Sequence, residues 1–121
     1  MPAYYIGEHI VTNSTVFDAY LAKVVPMIER FGGRYLTRPG THEILEGDWK
    51  PNRVVIIEFP DTESIRAWYS APEYQPMIAM RQSAATDVMI LLDGLGATTP
   101  AARTSDILSL ATLSVRSALR P

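Results

Sequence analysis

The sequence predicts an α+β protein in which a four-stranded antiparallel sheet carries its helices on one face. Three observations lead there. Ala3 to Val11 and Arg53 to Phe59 are dominated by aromatic and β-branched residues, as strands are. Between them, apolar residues recur at three- and four-residue steps, the spacing of one helical face. Near the end, Val88 to Leu92 is a continuous apolar run bounded by Asp87 and Asp93-Gly94, the pattern of a strand buried on both sides.

Each element has its own signals. The first strand ends at Thr12-Asn13-Ser14, whose short polar side chains suit a helix N-cap. Phe17, Tyr20, Leu21, Val24, Ile28 and Phe31 form the apolar stripe of the first helix, opposite Asp18, Lys23, Glu29 and Arg30. Pro26 falls inside it and predicts a kink, and Gly32-Gly33 supplies a left-handed exit. Arg34 to Arg38 and His42 to Glu46 read as two short strand pieces around the turn dipeptide Pro39-Gly40. Arg53 to Phe59 is the clearest strand; Pro60 closes it, and Asp61 caps a second helix that runs to about Ala71 with Glu63 in its first turn. Pro72 suits a first helical position, so Glu73 onward is expected to open a third helix bearing Tyr74, Met77, Ile78 and Arg81. Right-handed crossovers turn this βαββαβ order into a ferredoxin-like sheet.

The chain of 121 residues is one domain long, and its 47% hydrophobic content can bury a core. Residues 1–96 are assigned to that domain and 97–121 to a C-terminal extension, weakly amphipathic, with Ile107, Leu108, Leu110, Leu113, Val115 and Leu119. A net charge of −2 without a basic cluster argues against nucleic acid as a partner. With no cysteine there is no disulfide framework and no thiolate site. The opening MPAYYIGEHI lacks a signal-peptide pattern, and no run is apolar enough to span a membrane, so the expected location is the cytoplasm.

Both faces of the sheet read as apolar. Val55, Ile57 and Phe59 point one way and Val54 and Ile56 the other, with Val88, Ile90 and Leu92 set against Met89 and Leu91. Helices on one side cover one face only. The other needs a second layer, either residues 101–119 folded back or a second copy in a two-fold dimer. Leaving a face of roughly 800 Å² per partner in water would forfeit on the order of 10 kcal/mol.

The stretches GGRYLTRPGTHEILEGDW, RVVIIEFPD and AWYSAPEYQ, with a last strand ending in DG, make the chain resemble the DUF1330 family over Tyr4 to Gly94. The resemblance implies a dimeric α/β-barrel fold and a homodimer, and no particular reaction. Thr-Asn-Ser-Thr stands before the first helix where many relatives carry an Asp, and the extension beyond Gly96 falls outside the family pattern.

Glu58 is the candidate for chemistry, a lone carboxylate in an apolar strand that needs a partner. Arg38 and Arg81 are its candidate partners, or anchors for an anionic ligand. These three form the candidate catalytic set, with Glu58 as general base; a buried structural ion pair is the plainer alternative. Trp68, Tyr69 and Tyr74 are candidate pocket walls or core, and Glu46, Trp49 and Arg53 candidate rim residues or loop closers. His9 and His42 lack metal-binding spacing, and no nucleotide-binding or nucleophile motif is present, so neither metal nor cofactor is expected. The function expected is binding of a small anionic or carbonyl-bearing molecule, with cofactor-free proton transfer or oxygenation as its chemistry. The alternative is a non-catalytic assembly or sensor module.

Overall fold

The computed structural model describes residues 1–95; the expected C-terminal helix lies outside the described residues. In chain order the elements are β1 (Ala3–Val11), α1 (Ser14–Arg30), β2 (Arg34–Tyr35), β3 (Arg53–Phe59), α2 (Thr62–Ser70), α3 (Gln75–Ala84) and β4 (Ala85–Asp93). The strands form one antiparallel sheet in the order β2-β3-β1-β4, the ferredoxin-like arrangement with β1 and β3 central.

Local chemistry sets the element ends. The Asn13 side chain accepts from the Val16 amide at 3.1 Å, and Asp61 accepts from both the amide and the hydroxyl of Ser64 at 2.7 Å, so α1 and α2 each start on a side-chain cap. α1 continues through Pro26 as a single helix and buries Phe17, Tyr20, Val24, Met27 and Ile28. Gly32 then takes φ 88°, the left-handed exit that a side chain would strain. At Gly33 a Cβ would sit 2.5 Å from Ile28 and 2.9 Å from the Phe59 ring, so glycine lets the chain pass between α1 and β3.

Three boundaries differ from the sequence reading. Only Arg34–Tyr35 pairs with β3, and His42 to Glu46 is loop, because those residues find no strand neighbour to complete their backbone hydrogen bonds. α3 starts at Gln75 with Pro76 in its first turn, while Pro72 belongs to the preceding turn. β4 begins at Ala85 and absorbs Asp87 into the strand.

Register decides which side chains meet the helices. Tyr5 pairs with Ile57 and Leu91, Gly7 with Val55 and Met89, and His9 with Arg53 and Asp87, so these residues share the helix-covered face. Trp68 of α2, fully buried, centres the core on that face, with ring centroids 4.6 Å from Tyr74, 5.4 Å from Tyr5 and 5.8 Å from Phe59. The opposite, outer face carries Tyr4, Ile6, Glu8, Val54, Ile56, Glu58, Val88, Ile90 and Leu92. Val88 is 63% exposed and Ile90 52%, so among the described residues that face has no second layer.

Candidate functional site

The polar residues of the interior cluster where the end of α3 meets β1 and β4. Ala84, the last residue of α3, accepts on its carbonyl from the Thr12 amide at 2.8 Å, the Asn13 amide at 3.1 Å and the Thr12 hydroxyl at 3.1 Å. Those bonds pin the helix end against the start of α1 and fix Arg81 one turn earlier. Arg81 donates through Nη1 to Asp87 Oδ2 at 2.7 Å, and Asp87 Oδ1 lies 2.6 Å from His9 Nδ1. All three side chains are buried. Arg81 Nε and Nη2 have no hydrogen-bond partner among the described residues. Beside them the hydroxyls of Tyr20 and Tyr74 are 2.7 Å apart.

Next to the cluster is a cavity of about 10 Å³, lined by Tyr5, His9, Tyr20, Tyr35, Arg53 and Trp68 among others. That is room for about one water molecule. Gly7 leaves room for the Tyr5 side chain that lines it: a Cβ there would lie 2.9 Å from the Tyr5 ring and hydroxyl. Arg53 holds its guanidinium 5.5 Å from the Phe17 ring centroid, with a buried Nε that has no partner among the described residues.

Burial sets the protonation states. It pushes the His9 imidazole below its ordinary value, and the Asp87 hydrogen bond only partly offsets this while Arg81 and Arg53 add to it. His9 is therefore neutral near pH 7, with Nδ1–H donating to Asp87 and Nε2 left as a lone-pair base. Burial also works against the Arg81 charge, but Tyr74, Tyr20 and Asp87 outweigh it and hold the guanidinium charged. Burial raises Tyr5, Tyr20, Tyr35 and Tyr74, which stay neutral phenols able to donate. Together these groups offer a carboxylate-oriented base, hydroxyl donors and a cation.

The His9 shift makes stability depend on pH. Its folded value lies below the unfolded 6.5, so the unfolded chain binds the extra proton first, and stability drops as pH falls below 6.5 until the folded imidazole also protonates. Urea midpoints measured between pH 8 and 5 are expected to decline on the acid side, and a His9→Gln variant to lose that part of the slope. An unchanged slope in His9→Gln would exclude a neutral buried His9.

The predicted site residues separate into different places. Glu58 lies on the outer face opposite Arg34, whose Nε donates to it at 3.0 Å, so its partner is Arg34 and neither Arg38 nor Arg81. Strand alternation is the reason: Glu58 points away from the helices while Arg81 is buried beneath them. Arg38 sits in the exposed β2–β3 loop, so the three do not converge. Trp68 and Tyr74 are fully buried in the core; Trp68 also lines the small cavity, and Tyr74 joins it through Tyr20. Tyr69, 40% exposed, lines an open groove of about 470 Å³ between α2 and β4 with Ile65, Arg66, Met89 and Leu91. Glu46 is exposed in the loop, and Trp49 donates its indole N–H to Glu8 on the outer face. Arg53 is on the inner face, so these three do not share a rim.

The sequence assigns no site role to His9, Asp87 or Tyr20: His9 enters only as a histidine without metal-binding spacing, Asp87 as a strand boundary and Tyr20 as part of a helical stripe. The available signal is parity: Tyr5, Gly7 and His9 alternate on one face of β1, and a small residue between two large polar ones marks a close approach of side chains.

Residues 2–95 match the family described as a domain of unknown function, DUF1330. The chain belongs to the DUF1330 family. No curated protein matches the sequence. Among solved structures, this DUF1330 chain is similar to a protein of unknown function from Rhodopseudomonas palustris, with TM-score 0.66 and 22% identity over 78% of this chain and 83% of that one. It is also similar to SnoaB, a cofactor-independent oxygenase from Streptomyces nogalater, with TM-score 0.56 and 17% identity over 79% and 95% of the two chains. A dimeric ferredoxin-like protein of unknown function from Jannaschia sp. CCS1 gives TM-score 0.56 and 10% identity over 78% and 100%. At these identities the likeness establishes the ferredoxin-like fold.

Proposed function

We propose that the protein is a cytoplasmic homodimer that binds a small anionic or carbonyl-bearing organic molecule on the helix-covered side of each sheet and transfers a proton on it without a cofactor. The observation that carries this reading is His9, a buried neutral imidazole held through Nδ1 by Asp87 at 2.6 Å and lining a cavity with Arg53 and three tyrosines, Tyr5, Tyr20 and Tyr35, that burial keeps protonated. His9 Nε2 takes a proton from an acidic C–H or O–H of the ligand. Arg53 and the Tyr5 and Tyr20 hydroxyls meet the negative charge that develops. Arg81 acts indirectly, by holding Asp87 and thereby the His9 tautomer. The anion so formed is either reprotonated elsewhere or, with dioxygen as co-substrate, oxidised. The solved neighbour that is a cofactor-independent oxygenase supports such chemistry on this fold. Glu58 and Arg38, facing elsewhere, take no part. A ligand larger than one water has to widen the 10 Å³ cavity that these residues line.

The homodimer reading is supported by the apolar outer face and by solved neighbours described as dimeric. One observation favours the rival assembly module: the interior cavity is the size of a single water.

Native mass spectrometry of freshly purified protein separates the two. The expected spectrum is a dimer retaining a small organic molecule, bound less by Arg53→Ala. In heavy water the wild type is expected to exchange an acidic hydrogen of that molecule for deuterium, and His9→Gln at least about a hundredfold more slowly. A dimer that retains nothing favours the assembly module, and equal exchange in His9→Gln removes His9 as the base.

A further inference from the structure

The loop from Leu36 to Asn52 joins β2 to β3 and carries four large apolar residues in water. Leu45 is 95% exposed, Trp49 56%, Leu36 42% and Ile44 41%. Such a loop loses solvation free energy at each of these side chains, and it is longer than most connections in a compact domain. Its tip also stands clear of its own body. A Cβ placed on Gly40 or Gly47, at either end of the apolar tip, would meet nothing within 4 Å, and Gly47 takes φ 96° just after Leu45 and Glu46.

The base of the same loop is anchored to the outer sheet face, where Trp49 donates to Glu8. Beside Trp49 is a hollow of about 240 Å³ walled by Ile6, Val54, Val88 and Ile90. Its volume exceeds that of a leucine side chain, and its walls are mainly apolar, with Glu8 the one charged lining residue. Leu45 does not fill the hollow of its own chain, since it is almost wholly exposed while Trp49, four residues on, already lies there. One chain thus presents a protruding apolar tip and, on the same face, an apolar hollow. In a two-fold pair every contact of residue i with residue j is repeated as j with i, so each tip can enter the other chain's hollow.

We propose that residues 44–49 are an exchange arm, which buries Ile44 and Leu45 of each subunit in the hollow beside Trp49 of the other. The inference rests on the homodimer reading and adds what the dimer uses to lock its register. A face of bare strands allows slippage between two flat apolar layers. A knob in a socket on each side of the two-fold axis forbids it.

The test uses the full-length chain with a photo-activatable phenylalanine analogue in place of Leu45, in dimers mixed from isotopically light and heavy subunits. The expected products are light–heavy crosslinks from position 45 to outer-face residues of β1, β3 or β4. Leu45→Asp is expected to weaken dimerisation about a hundredfold or more, because symmetry places the substitution at two sites, with far-ultraviolet circular dichroism unchanged. A dimer whose crosslinks are absent, or run only within one chain, including to residues 96–121, overturns the arm and leaves the dimer standing. A dimer undisturbed by Leu45→Asp does the same. If the wild type itself sediments as a monomer at micromolar concentration, the dimer reading fails, and the arm with it.

Discussion

Asp87→Asn is expected to destabilise the folded chain by about 3–5 kcal/mol, a large share of the 5–15 kcal/mol that holds a domain of this size together. The carboxylate is the only partner within salt-bridge distance of Arg81 among the described residues, and both side chains are at most 5% exposed. The amide keeps the shape and removes the charge, so the guanidinium is left buried with no counter-ion and still two nitrogens unpartnered. It also has one acceptor where the carboxylate had two. Satisfying Arg81 with that oxygen turns the amide nitrogen toward His9 Nδ1, which must then give up its proton and carry it on Nε2. The same substitution therefore removes the free Nε2 lone pair of the proposed base. Urea unfolding followed by circular dichroism measures the first effect. A paired replacement, Asp87→Leu with Arg81→Met, is expected to cost less than Asp87→Asn alone, since no charge remains buried. If Asp87→Asn loses less than about 1 kcal/mol, the buried ion pair is not what stabilises the end of α3.

Ile90→Lys is expected to convert the proposed dimer into a folded monomer, weakening association by about three orders of magnitude or more. Ile90 sits at the centre of β4, pairs with Ile6 across the outer face, and is 52% exposed in the single chain. Two symmetry-related ammonium groups would be placed between largely apolar layers, where the Glu8 carboxylate of the same hollow already accepts from Trp49, and water would be lost from both. The inner face is untouched, because Met89 and Leu91 on either side point the other way. Sedimentation equilibrium of wild type and variant across a concentration series reads the change directly. An Ile90→Lys protein that associates as tightly as wild type would move the interface to another surface.

The elements whose signals are local in the chain are those the structure returns with little change. The caps at Asn13 and Asp61 make the hydrogen bonds their side-chain chemistry allows, the apolar stripe of Phe17, Tyr20, Val24 and Ile28 is buried, and Gly32 takes the left-handed exit. The errors fall where local chemistry has two acceptable outcomes. His42 to Glu46 has residues a strand tolerates, but no neighbouring strand is there to pair with it.

Order of elements, the ferredoxin-like connectivity and the surplus apolar face are thus properties that periodicity and capping chemistry determine by themselves. The choice between the two faces of β3 is not. Val55 and Ile56 are equally apolar, and nothing within the strand says which one meets the helices, so Glu58 could be read as interior when it pairs with Arg34 outside. Only the pairing of β1 with β3 and β4 brings His9, separated by 78 positions from Asp87, to within 2.6 Å of it. Side-chain alternation makes every residue of a strand follow one register, and register is set by contacts far apart in the chain.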